Sequence, residues 1–484
     1  MNKFNYTTMK TLKIFLVLFI TLTIVSCEKD FLEPAPTAAI SGANFPENEE
    51  QLELVLTSVY DALQGVNSLQ EGNNNSNHGM QIQFYVTEML SDNTRTKSGE
   101  GEAAQFDNFS VVPTNGFVFD YYRSMYDVIY RANLVLENLE LATVNQSRIE
   151  GEAKFLRALA YFNLVRSYGP VPLVDNPIEI TDTESQFTRV ETSLIYDLIV
   201  SDFQTAINSL SNYGLNRASQ SAAKGLLAKV YLTMGSNYGE AQVLLEEIIG
   251  SMQYELEPNF KDVFFNESNS ETIFAVGYLS DDSFNSQNFS AEMLNGVGRT
   301  SGVNYVTDEA IAALNEFGGS RTEYSKRVDP AQITQTQVIK YLPNGDESLG
   351  IEPTSSDPRS AGNDLIVLRY ADVLLMHVEA ILGNNQQTTS SNAITSFQTV
   401  RNRAGLTDPV AEITKEDLLL ERRVELAFEN HRLHDLKRFN MAQDILSQFS
   451  AANGHSFSAT DLLLPLPQYE INLSQGLLEQ NPGY

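Results

Sequence analysis

Between residues 47 and 66 the apolar residues Leu52, Val55, Leu56, Val59, Tyr60 and Leu63 recur at intervals of three and four. That spacing predicts one apolar face of a helix. A second helix is predicted near 119–141, with Tyr122, Tyr126, Ile129 and Leu136 on one side. In 148–168 the run EAKFLRALAYFNLV is apolar on two faces, so this helix is expected to lie between neighbours, and Gly169-Pro170 stops it. The pair 191–210 and 217–234 repeats the arrangement, and 239–250 adds a further helix. Gly225, Ala228, Tyr231, Gly235, Tyr238 and Ala241 fall where a tetratricopeptide unit puts small and aromatic packing residues. Residues 365–383 and 391–404 form another predicted pair, followed by 414–439. The reading is mainly α: a tetratricopeptide-like helical-repeat scaffold of about four helix pairs, with little sequence identity between repeats.

The stretch 255–362 breaks this pattern. It is rich in Asn, Ser, Asp and Gly, with short strand-like runs at Thr272–Leu279 and Gln337–Leu342. Residues 71–79 (EGNNNSNHG) read as a loop. Long irregular regions inside compact domains are usually functional, so a ligand site is expected in 255–362 together with the 71–101 loop.

At the N-terminus, Lys3, Lys10 and Lys13 precede an apolar run from Ile14 to Val25 that ends at Ser26-Cys27. A basic segment, a short apolar core and a small residue describe an export signal. The run is too short to span a bilayer, which needs about 20 apolar residues. Ile24-Val25-Ser26-Cys27 resembles a bacterial lipobox, although a small residue is commoner than valine at position 25. Met9 offers an alternative start. Cys27 is the sole cysteine of the chain. Cleavage before it would free it for acylation and make the protein anchored rather than spanning. With Cys27 acylated, no thiol is left for a disulfide, a zinc cluster or a nucleophile.

The 484 residues include 62 acidic and 32 basic side chains, a formal charge of −30 that becomes more negative once the lysine-bearing signal is removed. Nucleic acid is thereby excluded as an expected partner, because its binders neutralise phosphates with Lys and Arg. The acidity is spread along the chain and reads as a solubilising surface.

Four ordered segments then carry a family resemblance. EAKFLRALAYFNLVRSYGPVPLV (152–174), LRYADVLLMHVEA (368–380), ERRVELAFENHRLHDLKRF (421–439) and LLPLPQYEINLSQGLLEQNPGY (463–484) resemble the SusD/RagB family of outer-membrane nutrient-binding lipoproteins. The resemblance spans essentially the whole chain after the signal. It implies a tetratricopeptide-like scaffold carrying an irregular ligand-binding region, and a place on the outer face of the outer membrane. It further implies a SusC-like TonB-dependent transporter as partner, an oligosaccharide or in some members a peptide as ligand, and capture without catalysis or cofactor. The expected organisation is a signal peptide (1–26), an acylated N-terminus and tether (27–46) and a single domain (47–484). Within that domain lie helical repeats at 47–250 and 363–440, the loop-rich insert 255–362 and a C-terminal segment 441–484.

Sugar binding needs flat aromatic faces for CH surfaces and planar amide or guanidinium donors for hydroxyls. Many relatives use tryptophan for stacking; this chain has none, so stacking is expected from Tyr or Phe. The candidate ligand contacts are Tyr85, Asn93, Arg95 and Lys97 in the first loop region, and Phe284, Arg299 and Tyr305 in the insert. Asp92, Asn285 and Phe289 lie beside them. His431, His434 and Asp435 form a possible metal group; the alternative is a charged packing surface in which Arg432, Lys437 and Arg438 take the acids. Asn133 and Arg157 interrupt apolar helix faces and are expected as hydrogen-bonded core residues that fix helix register. The rival class is a glycoside hydrolase, which needs two opposed carboxylates. No G-x-S-x-G, H-E-x-x-H or phosphate-binding loop occurs in the sequence.

Overall fold

Apolar stripes at helical spacing are buried only when helices meet in pairs, and the structure is built of such meetings. It is a computed structural model describing residues 45–67, 77–96, 101–178, 181–212, 214–296 and 304–484. The longer helices are α1 (Glu49–Gln64), α2 (Gly116–Glu137), α3 (Gln146–Tyr168), α4 (Thr192–Ser209), α5 (Gln220–Met234), α6 (Tyr238–Gly250) and α7 (Asp308–Phe317). They continue with α8 (Tyr370–Leu382), α9 (Ser391–Arg403), α10 (Lys415–Glu425), α11 (Arg432–Arg438), α12 (Ala442–Ala452) and a last short α13 (Gln468–Leu473). Residues 52–484 form one unit; residues 45–51 lead into the first turn of α1.

Helix α3 is the spine. It packs against α2 on one side and α4 on the other, and Phe155, Leu156, Ala158, Ala160, Tyr161 and Phe162 have no exposed surface. The polar interruptions expected in this layer act as cross-ties. The Arg157 guanidinium on α3 donates to both carboxylate oxygens of Asp202 on α4 (2.7 and 2.9 Å) and to Asn133 Oδ1 on α2 (2.8 Å). Farther along, α5 packs on α4 and α6, and α6 on α8, which in turn packs on α9 and α10. Small residues set these approaches. A Cβ at Gly225 of α5 would lie 2.5 Å from Leu368 Cδ2, so a larger residue there would force the buried Leu368 side chain to shift. Gly169 ends α3 at φ 75°, a conformation that a side chain would strain.

Among the described residues, four two-stranded antiparallel ribbons join the helices: β1 (Thr94–Arg95) with β3 (Tyr305–Val306), β2 (Thr272–Val276) with β6 (Leu365–Arg369), β4 (Lys326–Val328) with β5 (Thr336–Val338), and β7 (Gln387–Thr388) with β8 (Ile413–Thr414). Two expectations are corrected here. The predicted helix 365–383 opens as strand β6 and turns helical only at Tyr370. LIVLR is a continuous apolar run, and such a run suits a buried strand as well as a helix. The predicted helix 414–439 is interrupted between α10 and α11, where Phe428 (φ 67°) and Asn430 (φ 64°) adopt left-handed conformations.

That interruption sits in a buried network of charges. Arg369, at the end of β6, reaches Glu271 (2.6 Å), Glu425 (2.6 Å) and Glu429 (2.7 Å). Glu425 also receives Arg321 (2.7 Å) and Arg403, and Glu429 receives Lys340 (2.7 Å). Arg422 bridges Asp372 and Asp435, both at 2.9 Å, and Arg438 holds Asp435 and Glu379. Burial alone would raise the Glu425 carboxyl, but Arg403, Arg369 and Arg321 outweigh it and hold it well below the usual range. The network ties the insert, through Glu271, Arg321 and Lys340, to the C-terminal helices.

Leu156 tests the central layer. Leu156→Ala should cost about 2–5 kcal/mol, and Leu156→Asp, which buries an unpaired carboxylate, should leave no cooperative folded state. Thermal unfolding followed by circular dichroism checks both; an unchanged melting temperature for either variant would contradict the burial described.

Candidate functional site

The β1–β3 ribbon brings the first loop region and the insert together. Arg95 and Tyr305 are directly paired in register, so their side chains leave the same face of the ribbon. The Arg95 guanidinium lies against Asp107 with two parallel contacts (Nε–Oδ1 3.1 Å, Nη2–Oδ2 3.2 Å). Its outer nitrogens also meet Asn453 Oδ1 and, at 3.2 Å, the His455 ring. Asp107 comes from the short helix Ala104–Asp107, and Asn453 and His455 from the turn after α12. Three parts of the chain thus converge on one planar cation. Burial raises the Asp107 carboxyl, with Arg95 opposing, and burial likewise raises the half-buried Tyr305 phenol.

Beneath the ribbon the support is ionic. Asp92 receives Arg432 on both oxygens (2.7 and 2.9 Å), and Arg423 approaches it at 3.1 Å. Burial would raise this carboxyl; the two guanidinium groups overcome it and hold Asp92 well below the ordinary carboxylate range. Arg423 also donates to Asn93 Oδ1 (2.9 Å), and the Thr307 hydroxyl donates to the Asp92 carbonyl (2.7 Å). The first strand is therefore fastened to α10 and α11, and Thr307 ties the second strand to the first.

The sequence candidates divide into three groups. Arg95 and Tyr305 are brought together as described. Tyr85 and Asn93 are not surface groups, which corrects the expectation that they contact ligand. Tyr85 is 4% exposed, its ring stacked 3.9 Å from Phe117 and its hydroxyl donating to Glu292 (3.0 Å). Asn93 is 1% exposed and held between Glu88 and Arg423. Phe284 is exposed and projects from the turn after Leu279, which packs on residues 354–361 rather than on the ribbon. Asn285 belongs to that same turn, and Phe289 is buried against Tyr278 and Tyr341. Lys97, Arg299 and Cys27 lie outside the described residues. Asp107, Asn453 and His455 were missed, since nothing in their local spacing links them to Arg95.

The histidine pair resolves as packing. Asp435 is taken by Arg422 and Arg438, and burial pushes His431 down to about 3, so it stays neutral. Among the described residues no group of three or more His, Cys, Asp or Glu could hold a metal. No helix of the described residues is long and apolar enough to cross a membrane.

A helical-repeat scaffold that presents a preorganised polar and aromatic surface from an irregular insert describes a binding protein of the tetratricopeptide-like class. The comparisons narrow the class. A model of the SusD family matches residues 300–484, and a second, described as starch-binding associating with outer membrane, matches residues 30–232. A SusD-like protein of Bacteroides ovatus is 25% identical over 465 residues, covering 88% of this chain and 82% of its own length. A solved laminarin binding SusD-like protein superposes with a TM-score of 0.73 at 25% identity, covering 90% of this chain and all of that one. The surface glycan-binding protein A of Bacteroides thetaiotaomicron, solved in complex with laminarihexaose, gives a TM-score of 0.75 at 21% identity over 90% of this chain and 99% of its own, a likeness of fold. The chain belongs to the SusD family.

Glu88 under the ribbon gives a pH signature. Burial pushes its carboxyl up to about 7, although Asn93 and the Phe428 amide donate to it and Lys340 lies nearby. A carboxyl raised in the folded state contributes its full stability below the unfolded value and loses it as pH rises through the folded value. Between pH 4.5 and 8 the protein should therefore lose roughly 3 kcal/mol relative to Glu88→Gln, at about 1.4 kcal/mol per pKa unit. Urea unfolding of both proteins at pH 5 and pH 8 measures the difference; parallel pH profiles would contradict it.

Proposed function

We propose that this protein is a lipid-anchored protein on the outer face of the outer membrane. It binds oligosaccharides or polysaccharide and delivers them, unaltered, to a SusC-like TonB-dependent transporter. On this reading residues 1–26 are the signal, Cys27 carries the lipid, 27–46 form the tether and 47–484 the binding body. The likeness along nine-tenths of the chain to a protein named for laminarin binding carries the reading. The association of the second family model with the outer membrane and the lipobox-like sequence before Cys27 support the location.

The face carrying Arg95 and Tyr305 suits a sugar. A tyrosine ring offers a flat apolar surface, while carboxylate, amide and imidazole around a fixed guanidinium offer donors and acceptors for hydroxyls. Because Asp107 already orients Arg95, little side-chain freedom would be lost on binding. This arrangement favours capture over turnover.

The exported protein should be retarded in gels containing one class among laminarin, soluble starch, xylan and alginate, and should release the glycan chemically unchanged. Tyr305→Ala should weaken retention about 2- to 10-fold, the worth of one stacking contact, without shifting the melting temperature. Cys27→Ala should move the protein from the membrane fraction to the soluble fraction. Cleavage of the glycan, or retention by peptides alone, would overturn the reading.

A further inference from the structure

A second surface has the chemistry of a sugar site. Between α2, residues 174–178 and 186–187, and α13 lies a cleft of about 610 Å³, within the range of small-molecule sites. It lies on the helical scaffold, and none of its lining residues belongs to the ribbon site.

Its walls are aromatic. Tyr126 and Tyr130 come from successive turns of α2, and Tyr469 from α13. Tyr126 is pinned, its hydroxyl donating to the Pro172 carbonyl (2.7 Å) and its ring tilted against Tyr122 at 4.8 Å. Tyr130 and Tyr469, by contrast, are 55% and 56% exposed. Tyr469 is nevertheless oriented: it meets Phe119 edge-on at 5.3 Å, and the Arg123 guanidinium covers Phe119 at 5.1 Å. Two tyrosine rings therefore rim one cleft with apolar surface uncovered, and at least one is held in a fixed attitude.

The charged groups between them are of both signs, Asp127 and Glu470 with Arg123 and Arg131. Glu470 lines the cleft half-buried, and among the described residues no hydrogen bond reaches its carboxylate. Burial raises that carboxyl, with Arg123 opposing. Asp127, also lining the cleft, accepts from Arg131 and Asn77. Ring faces suit the CH surfaces of a pyranose, and a carboxylate with free lone pairs suits vicinal hydroxyls. Asp127 and Glu470 are matched in the cleft by Arg123 and Arg131, so no net charge is left to hold a uronic acid, which suits uncharged sugars.

We propose that this cleft is a second glycan-binding site, specific for a neutral oligosaccharide, in which Tyr130 and Tyr469 stack on the sugar and Glu470 accepts from its hydroxyls. The inference rests on the reading of the protein as a glycan-binding protein. Two sites on one body would let a long polysaccharide engage both, raising avidity without a new contact.

Equilibrium dialysis of the exported protein against laminarihexaose, maltohexaose, cellohexaose and xylohexaose tests it. The expected result is two molecules of one hexasaccharide bound per chain. That number should fall to one in a double variant carrying Tyr130→Ala and Tyr469→Ala, and stay at two when both are changed to Phe, with unchanged melting temperatures. Glu470→Gln should weaken the second site while leaving the first intact. An alanine double variant that binds as many molecules as the parent overturns the second site and leaves the glycan reading standing. Binding of uronic-acid oligosaccharides alone overturns the neutral specificity of the cleft. A parent that binds no saccharide at all, with laminarin, starch, xylan and alginate gels also failing to retard it, overturns the glycan reading and the cleft with it.

Discussion

A buried charge network governs this structure. Arg369 alone engages three glutamates, and Glu425 faces three arginines, all almost without exposure to solvent. Removing such groups from water costs several kcal/mol per ion, which only complete pairing offsets. The pairing here is nearly complete because one short segment carries both signs, in Glu421, Arg422, Glu425, Glu429, Arg432, Asp435 and Arg438, and Arg321, Lys340, Arg369 and Arg403 come in from elsewhere to meet its glutamates. Its consequence is specificity of arrangement more than raw stability. A register shift of α10 or α11 would strand several charges together, so the insert has one way to seat on the C-terminal helices.

The same segment determines what the surface can do. Arg423 and Arg432 reach past the helices to Asp92 and Asn93 and thereby set the ribbon on which Arg95 and Tyr305 stand. Many of the basic side chains point inward in this way, among them Arg157, Lys229, Arg321, Lys340, Arg369 and Arg422. The carboxylates they meet, among them Asp202, Glu271, Asp372, Glu425 and Glu429, are buried with them, and the outside keeps the acidic sign of the composition. An uncharged ligand is suited to such a surface, and polyanions are repelled from it.

The helices were legible because their apolar residues recur every three or four positions; α2, α3, α4, α5, α6 and α9 begin and end within four residues of the predicted limits. β6 was hidden because LIVLR is apolar throughout, and periodicity cannot separate a buried strand from a buried helix. The break after α10 was hidden because ERRVELAFENHRLHDLKRF has helical spacing, while the left-handed residues Phe428 and Asn430 fall among Glu425, Glu429 and Arg432, whose side chains are held by Arg369 and Asp92 from distant parts of the chain. At the candidate site, Arg95 and Tyr305 were legible as residue types suited to a sugar. Asp107, Asn453 and His455 were not: Asp107 is 12 residues on in a different element, and the contacts to Asn453 and His455 cross 358 and 360 residues, so none leaves a trace in local pattern. Tyr85 and Asn93 carried the right chemistry but are occupied in packing and hydrogen bonding.

The central claim is that buried ion pairs to Asp92 hold the β1–β3 ribbon in place. Amide hydrogen exchange in Asp92→Asn measures this directly, since asparagine keeps the shape and removes the charge. Exchange should accelerate at residues 92–96 and 304–307, where Thr307 N–H donates to the Asn93 carbonyl, while α3 retains its protection. Unchanged protection of the ribbon in that variant would contradict the account.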